Sequence, residues 1–298
     1  MLLVWLPVLS WADNVALVIG NSAYRSVETL PNPGNDANAV ADALRANGFE
    51  VTLANDLTRA EMLNTLREFR DAADRADIAM VYYAGHGMEI GGRNYLVPID
   101  ARITDERDAR LEMIELQDVM SQMSGAKRMK TVVLDACRDN PFVTGMKRAN
   151  TGRNVGRGLA LVESAGADTL IAYAAAAGEI TPDGTEGGNS PFTRAFLNAM
   201  AGPSLDIRLL LGSVRDELRR SVPGAAPFVY SSLGGETYVI NPKPGPTAAP
   251  RPIAKPDTNA MLSDYATAEL ADSVSIWDAF LDTYAAQSDH TLYILARR

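Results

Sequence analysis

From Val15 onward, short apolar runs alternate with longer stretches in which apolar residues recur every three or four positions. The runs suit strands buried on both faces and the stretches suit amphipathic helices, so the alternation predicts a parallel sheet joined by crossover helices. VALVIG (15–20) is the first strand. DANAVADALRANG (36–48) follows as a helix, with Ala37, Val40, Ala41 and Leu44 on one face and Gly48 at its C-terminal stop. FEVTLAND (49–56) is the second strand. Thr58 and Glu61 have the spacing of a capping box, flanked by Leu57 and Met62 as a hydrophobic staple, so a second helix opens there and continues through Leu63, Leu66 and Phe69. DIAMVYYAG (77–85) is a third strand, and MEIGGRNYLVPID (88–100) a hairpin about its Gly-Gly pair.

The pattern then predicts a helix over 115–124, strands KTVVLDA (130–136) and TLIAYAAAA (169–177), helices near 190–200 and 204–220, and a closing strand pair, PFVYSSL and ETYVI, ending by Ile240. Residues 139–160, rich in Gly, Asn, Lys and Arg, are too many for a plain connection, and loops of that length are usually functional. NPKPGPTAAPRPIAKPDT (241–258) is a Pro-rich linker of extended, semi-rigid type. In the tail that follows, Trp277, Phe280, Leu281 and Tyr284 fall at i, i+3, i+4 and i+7, an apolar helix face for packing or for a protein partner.

At the other end, the apolar run Leu2–Leu9 followed by Ser10-Trp11-Ala12 fits a signal peptide cut after Ala12, although its n-region lacks Lys or Arg. Export to a periplasm or out of the cell is the expectation, a cytoplasmic protein with a buried first strand the alternative. The run is too short to span a membrane and no later stretch is apolar for long enough, so no transmembrane anchor is expected. The organisation reads as a leader at 1–12, a main domain at 13–240, the linker at 241–258 and a short helical tail at 259–298.

Composition narrows the chemistry. A net charge of -9 without any basic helix or Lys/Arg block argues against a nucleic-acid partner. One cysteine makes no intramolecular disulfide, and two histidines are too few for a zinc site, so no metal is assigned and no organic cofactor is implied. The lone cysteine stands in VVLDACRDNPF (132–142), where an apolar run gives way to a polar turn. The third predicted strand likewise runs into GHG (85–87). The carboxyl ends of strands in an open parallel sheet form the ligand crevice, so His86 and Cys137 are expected to face one cleft. A thiol needs such an imidazole, because at its ordinary pKa near ~8.5 it is mostly protonated at neutral pH. The amide of Gly87, with that of Cys137, would suit an oxyanion hole.

YYAGHGM (82–88), followed some fifty residues later by VVLDACRDNPF, resembles the caspase-like cysteine peptidases, and within them the bacterial and metacaspase-type branch. ALVIGNSAY (16–24) and NPGNDANAVADALRANGFEV (32–51) resemble that branch too; the resemblance covers roughly residues 14–240, with the four motifs in the family's order and spacing. The resemblance implies the caspase-haemoglobinase fold: a three-layer α/β/α sandwich around a mostly parallel six-stranded sheet. It places a catalytic dyad at His86 and Cys137 and an oxyanion hole at Gly87 and Cys137.

Strand alternation puts Asp135 on the cleft face with Cys137, and Asp36 opens the first helix. Two carboxylates in one pocket favour a guanidinium or ammonium guest, and metacaspase-type enzymes, which carry acidic residues at these two positions, cut after Arg or Lys. The plainer roles are a helix N-cap for Asp36 and a turn hydrogen bond for Asp135. Ala84 departs from the serine that metacaspases often carry two residues before the histidine, and no acidic cluster for their calcium site is visible, so calcium dependence stays open. An enzyme of this preference would find Lys147, Arg148, Arg153 and Arg157 as self-cleavage sites within 139–160. Its substrates would be peptides or proteins with Arg or Lys before the scissile bond. Two alternatives stand beside this expectation: an interaction module of the same fold with an idle dyad, and a clan relative with another pocket preference, such as asparagine.

Overall fold

The computed structural model describes residues 14–137, 142, 166–174, 184–222, 224–225 and 227–242, together with parts of 261–297. The expected leader at 1–12, the four basic residues Lys147, Arg148, Arg153 and Arg157, and nearly all of the linker lie outside the described residues. Contacts divide the chain into two units, Met1–Lys243 and Pro244–Arg298.

The first unit contains β1 (Asn14–Gly20), α1 (Pro33–Ala46), β2 (Glu50–Asn55), α2 (Arg59–Ala73), β3 (Ile78–Ile90), β4 (Arg93–Leu96), α3 (Ala109–Glu112), β5 (Ile114–Glu115), α4 (Leu116–Ser121), β6 (Met129–Cys137), β7 (Thr169–Tyr173), α5 (Pro191–Ala201), α6 (Ile207–Ser221) and β8 (Phe228–Ser231). The main sheet runs β2-β1-β3-β6-β7-β8, parallel except for β8, which is antiparallel to β7; β4 pairs antiparallel with the far half of β3 and with β5. The fold is the mostly parallel α/β sandwich that the apolar pattern predicts.

The three layers follow from residue parity in the central strands. Ala16, Val18, Met80, Tyr82, Ala84 and Val133 form one core with α1, α5 and α6, through Val40, Leu44, Phe192, Phe196, Leu210 and Val214. The residues between them, Leu17, Ile19, Val81, Tyr83 and Leu134, form the opposite core with α2 and α4, through Met62, Leu66, Phe69 and Val119. Both faces of these strands are dry, which is why their sequences are continuous apolar runs rather than alternating ones. The capping box of α2 is present: Thr58 Oγ1 accepts from the Glu61 amide at 3.4 Å and Glu61 Oε2 accepts from the Thr58 amide at 2.9 Å. Gly91 and Gly92, at φ 60° and 80°, make the tight turn between β3 and β4.

Several boundaries differ from the sequence expectation. The first helix starts at Pro33, with Asn32 as N-cap, because proline's fixed φ suits the first helical turn. GHG is not a turn: β3 passes through it and pairs beyond it with β4. Cys137 likewise belongs to a strand, as the last residue of β6. The expected 115–124 helix is shorter, and α3 precedes it unannounced by any periodic pattern. ETYVI forms no strand; Asp206 and Val239 make one isolated bridge, and Asp206 Oδ2 takes the Tyr238 amide at 3.0 Å, which occupies the backbone that a strand would pair.

In the second unit Met261, Phe280 and Tyr284 are buried together, with Tyr265, Trp277 and Leu281 packed against them. The Trp277 ring lies edge-on to Tyr265 at 5.2 Å and to Phe280 at 6.0 Å, so the apolar face of the tail is used in packing. No helix among the described residues is long and apolar enough to cross a membrane.

Candidate active site

The loop after β1 folds back over the carboxyl end of the sheet, and two side chains hold its start. Asn21 is fully buried; its Oδ1 accepts from the Leu57 amide at 3.0 Å and its Nδ2 donates to the Val97 carbonyl at 3.1 Å. Asp56 adopts φ 55° and its Oδ1 accepts the consecutive amides of Ser22 and Ala23 at 2.7 and 2.8 Å. These bonds carry Tyr24 and Glu28 to the centre of the sheet end, where both meet His86.

His86 is 6% exposed, its ring centroid 4.5 Å from that of Tyr24. Its Nε2 lies 2.9 Å from the Glu28 carbonyl oxygen. A carbonyl only accepts, so Nε2 carries the proton and Nδ1 presents a lone pair. Nδ1 is buried and has no hydrogen-bond partner among the described residues. Burial pulls the imidazole pKa below its ordinary 6.5, against a weaker opposing pull from Glu28, so the ring is neutral at physiological pH. A neutral imidazole with one nitrogen fixed and the other open is the form that accepts a proton.

The β3–β6 register pairs His86 with Cys137, and two residues back pairs Ala84 with Asp135. Gly87 pairs with Leu96 of β4. The Val97 amide donates to the His86 carbonyl at 3.2 Å, which makes Gly87–Leu96 a non-hydrogen-bonded position and directs the Gly87 amide away from β4.

Asp36 and Asp135 are brought together by one residue. Asp36 is buried in the first turn of α1, and its Oδ1 accepts the Ser190 amide at 2.9 Å. The Ser190 hydroxyl donates to Asp135 Oδ2, which also accepts from Thr193 Oγ1 at 2.7 Å and Tyr82 OH at 3.5 Å. Tyr82 is fully buried, and its phenol pKa is pushed well above 10.0 first by burial and then by the charges of Asp135 and Asp36. Neither aspartate has the plainer role open to it in the sequence: Asn32 is the N-cap of α1, and Asp135 sits within a strand.

The residues not foreseen are Tyr24, Tyr82, Ser190 and Thr193. Ser-Pro at 190–191 is a readable helix start, and Ser190 does cap α5 by accepting from the Thr193 amide at 2.9 Å. What it bridges lies 154 and 55 residues away along the chain, which no local pattern encodes.

The sequence pattern of the caspase domain matches residues 13–238. The chain belongs to the caspase family. Members of the caspase family are cysteine peptidases acting on protein substrates. The human mucosa-associated lymphoid tissue lymphoma translocation protein 1 is 34% identical over 126 residues, 42% of this chain and 15% of the relative. Its mouse homolog is 33% identical over the same length and shares. Cell death protein 3 of Caenorhabditis remanei is 24% identical over 135 residues, 43% of this chain and 24% of the relative. The chain thus spans between 15% and 24% of the curated relatives it matches.

Proposed function

We propose that this caspase-family chain is a cysteine endopeptidase that cleaves after Arg or Lys with a His86/Cys137 dyad. The observation that carries the reading is the open, buried Nδ1 of a neutral His86 in register with Cys137. The Cys137 thiol gives its proton to Nδ1 and the thiolate attacks the scissile carbonyl carbon, with the amides of Gly87 and Cys137 bonding the oxyanion. The tetrahedral adduct collapses as His86 returns the proton to the leaving amine, which leaves a thioester. Water then adds to the thioester with His86 taking its proton, and the thiol is released with the new carboxylate.

Two further observations support a basic residue before the scissile bond. Asp36 of α1 and Asp135, the latter two register positions before Cys137, share Ser190, and Tyr82 senses the charge of both. A guanidinium matches such a pair by bidentate, charge-assisted bonds, and neutralises charges that are costly to bury. The same preference makes Lys147, Arg148, Arg153 and Arg157 sites of self-cleavage, and export after removal of 1–12 belongs to the same proposal; N-terminal sequencing of the purified protein and its fragments tests both.

The main test is hydrolysis of fluorogenic peptides ending in Arg, Lys, Asp or Asn, with and without calcium, by wild type and Cys137→Ala. Turnover after Arg or Lys alone, lost in the variant, is the expected result. Cleavage after Asp or Asn would retain the dyad and discard the acidic pocket, and no turnover by a folded protein would leave an interaction module in its place.

A further inference from the structure

His86 is gripped through its backbone as firmly as through its ring. Its amide donates to the Tyr24 hydroxyl at 2.7 Å, its carbonyl accepts from the Tyr83 hydroxyl at 2.8 Å, and the two hydroxyls stand 3.2 Å apart. One placement of protons satisfies all three contacts. The peptide N–H can only donate, so Tyr24 receives it and directs its own proton to Tyr83, which directs its proton back to the carbonyl of His86. The result is a closed ring of bonds running in one sense from the N–H of His86 to its own C=O, the arrangement in which neighbouring bonds polarise one another. The Val97 carbonyl, 3.1 Å from the Tyr83 hydroxyl, is the alternative acceptor for that last proton.

The ring is dry and its space is reserved. Tyr24 is 5% exposed and Tyr83 fully buried. A Cβ on Gly85 would stand 2.6 Å from the Tyr24 hydroxyl and 2.7 Å from that of Tyr83, and the φ of 151° there suits glycine alone. Tyr24 arrives from the loop after β1, which also supplies the Glu28 carbonyl to Nε2, so one segment fixes both the peptide and the ring of the histidine.

We propose that Tyr24 and Tyr83 are positioning residues for His86, closing a hydroxyl ring about its peptide so that Nδ1 stays aimed and only Nε2 is protonated. Its catalytic value rests on the peptidase reading above; its effect on the histidine does not. The chain has only two histidines, so ring-nitrogen NMR of the 298-residue chain resolves His86 once His290→Gln identifies the other signal. Wild type is expected to show the Nε2-protonated form alone, titrating below 6.5. Tyr24→Phe keeps the aromatic contact and loses the hydroxyl, leaving a buried amide without its acceptor. A mixture of both tautomers and a titration midpoint moved back toward 6.5 are expected. With a basic peptide substrate, kcat falls by about 10- to 100-fold while KM stays within about 2-fold, the signature of a misplaced base rather than lost binding.

Tyr83→Phe breaks the same ring and gives the same signs, and the double variant loses less than the product of the single losses because the three groups act as one unit. Should Tyr24→Phe not fold, Tyr83→Phe decides by the same readouts. Wild-type tautomer, midpoint and kcat in the folded Phe variants would overturn the proposal. A wild type that turns over no peptide while the Phe variants still scramble the His86 tautomer would sink the peptidase reading and leave the ring standing.

Discussion

The imidazole and Asp135 lie two register positions apart on β3 and β6, with Asp36 reaching the second site from α1, yet the two sites are held in opposite ways. His86 has its peptide bonded by tyrosine hydroxyls and one ring nitrogen by a carbonyl, while the other nitrogen is left open. Asp135 has its carboxylate itself engaged, by Ser190, Thr193 and Tyr82, and Asp36 is joined to it through the Ser190 amide. A group that must exchange a proton is best fixed through atoms that do not take part, so that its reactive nitrogen meets no competing partner. A group proposed to recognise charge needs the reverse: donors on the carboxylate stabilise its buried negative charge. The difference teaches which of the two sites tolerates substitution of its hydroxyls, and how.

The comparison breaks most sharply at the proposed dyad. His86→Gln is expected to lower kcat on a basic peptide by about 10³-fold with KM little changed, since a positioned general base contributes on the order of 10²–10⁴; steady-state kinetics on the folded variant checks it, and a KM effect alone would place His86 among binding groups. Asp135→Asn should act on the other quantity. It removes the charge but keeps the shape, and kcat/KM for Arg peptides is expected to fall by about 100-fold, carried by KM, as for a truncated desolvated charge pair. Iodoacetamide alkylation of Cys137 should stay at the wild-type rate in Asp135→Asn and slow in His86→Gln, which separates the two sides without a substrate.

Ser190→Ala sharpens the comparison further because it removes a donor to Asp135 and the N-cap of α5 together. A loss of about 1 kcal/mol in denaturant unfolding is expected from the cap, with a smaller rise in KM than for Asp135→Asn. Ser190→Thr, which keeps a hydroxyl, should restore both. The smallest effect is on pH dependence. Burial lowers the His86 pKa below 6.5, so between that value and 6.5 the unfolded chain binds more protons than the folded one. The stability carried by the neutral ring is therefore complete above pH 6.5 and declines as pH falls below it. The groups around the histidine are Glu28, which opposes the shift, and the phenols of Tyr24 and Tyr83. Denaturant unfolding of wild type and His86→Gln between pH 7 and 5 should show the steeper decline in wild type; equal slopes would remove this account of the neutral ring.

Much of this was legible in the chain itself. The capping box at Thr58 and Glu61, the Gly-Gly hairpin and the apolar runs of the central strands encode their structures within a few residues, because propensity, capping and burial on both faces act locally. His86 and Cys137 were legible as residues of adjacent central strands, which the register pairs, although the structure carries β3 past His86 to Ile90 rather than ending it there. GHG was not legible as strand, because its extension depends on β4 arriving beside it, and Gly85 is glycine to admit two tyrosine hydroxyls rather than to turn the chain.

By itself the sequence determined the layered α/β architecture, the order of its main strands and helices along the chain, the family, and the residue types available for chemistry. Only the tertiary structure decided which nitrogen of His86 is open, that Tyr24 and Tyr83 close a ring around its peptide, and that Ser190 joins two aspartates. Those outcomes depend on hydrogen bonds between groups dozens to more than a hundred residues apart, and a bond of about 3 Å is set by how elements pack, not by the local pattern that forms each one.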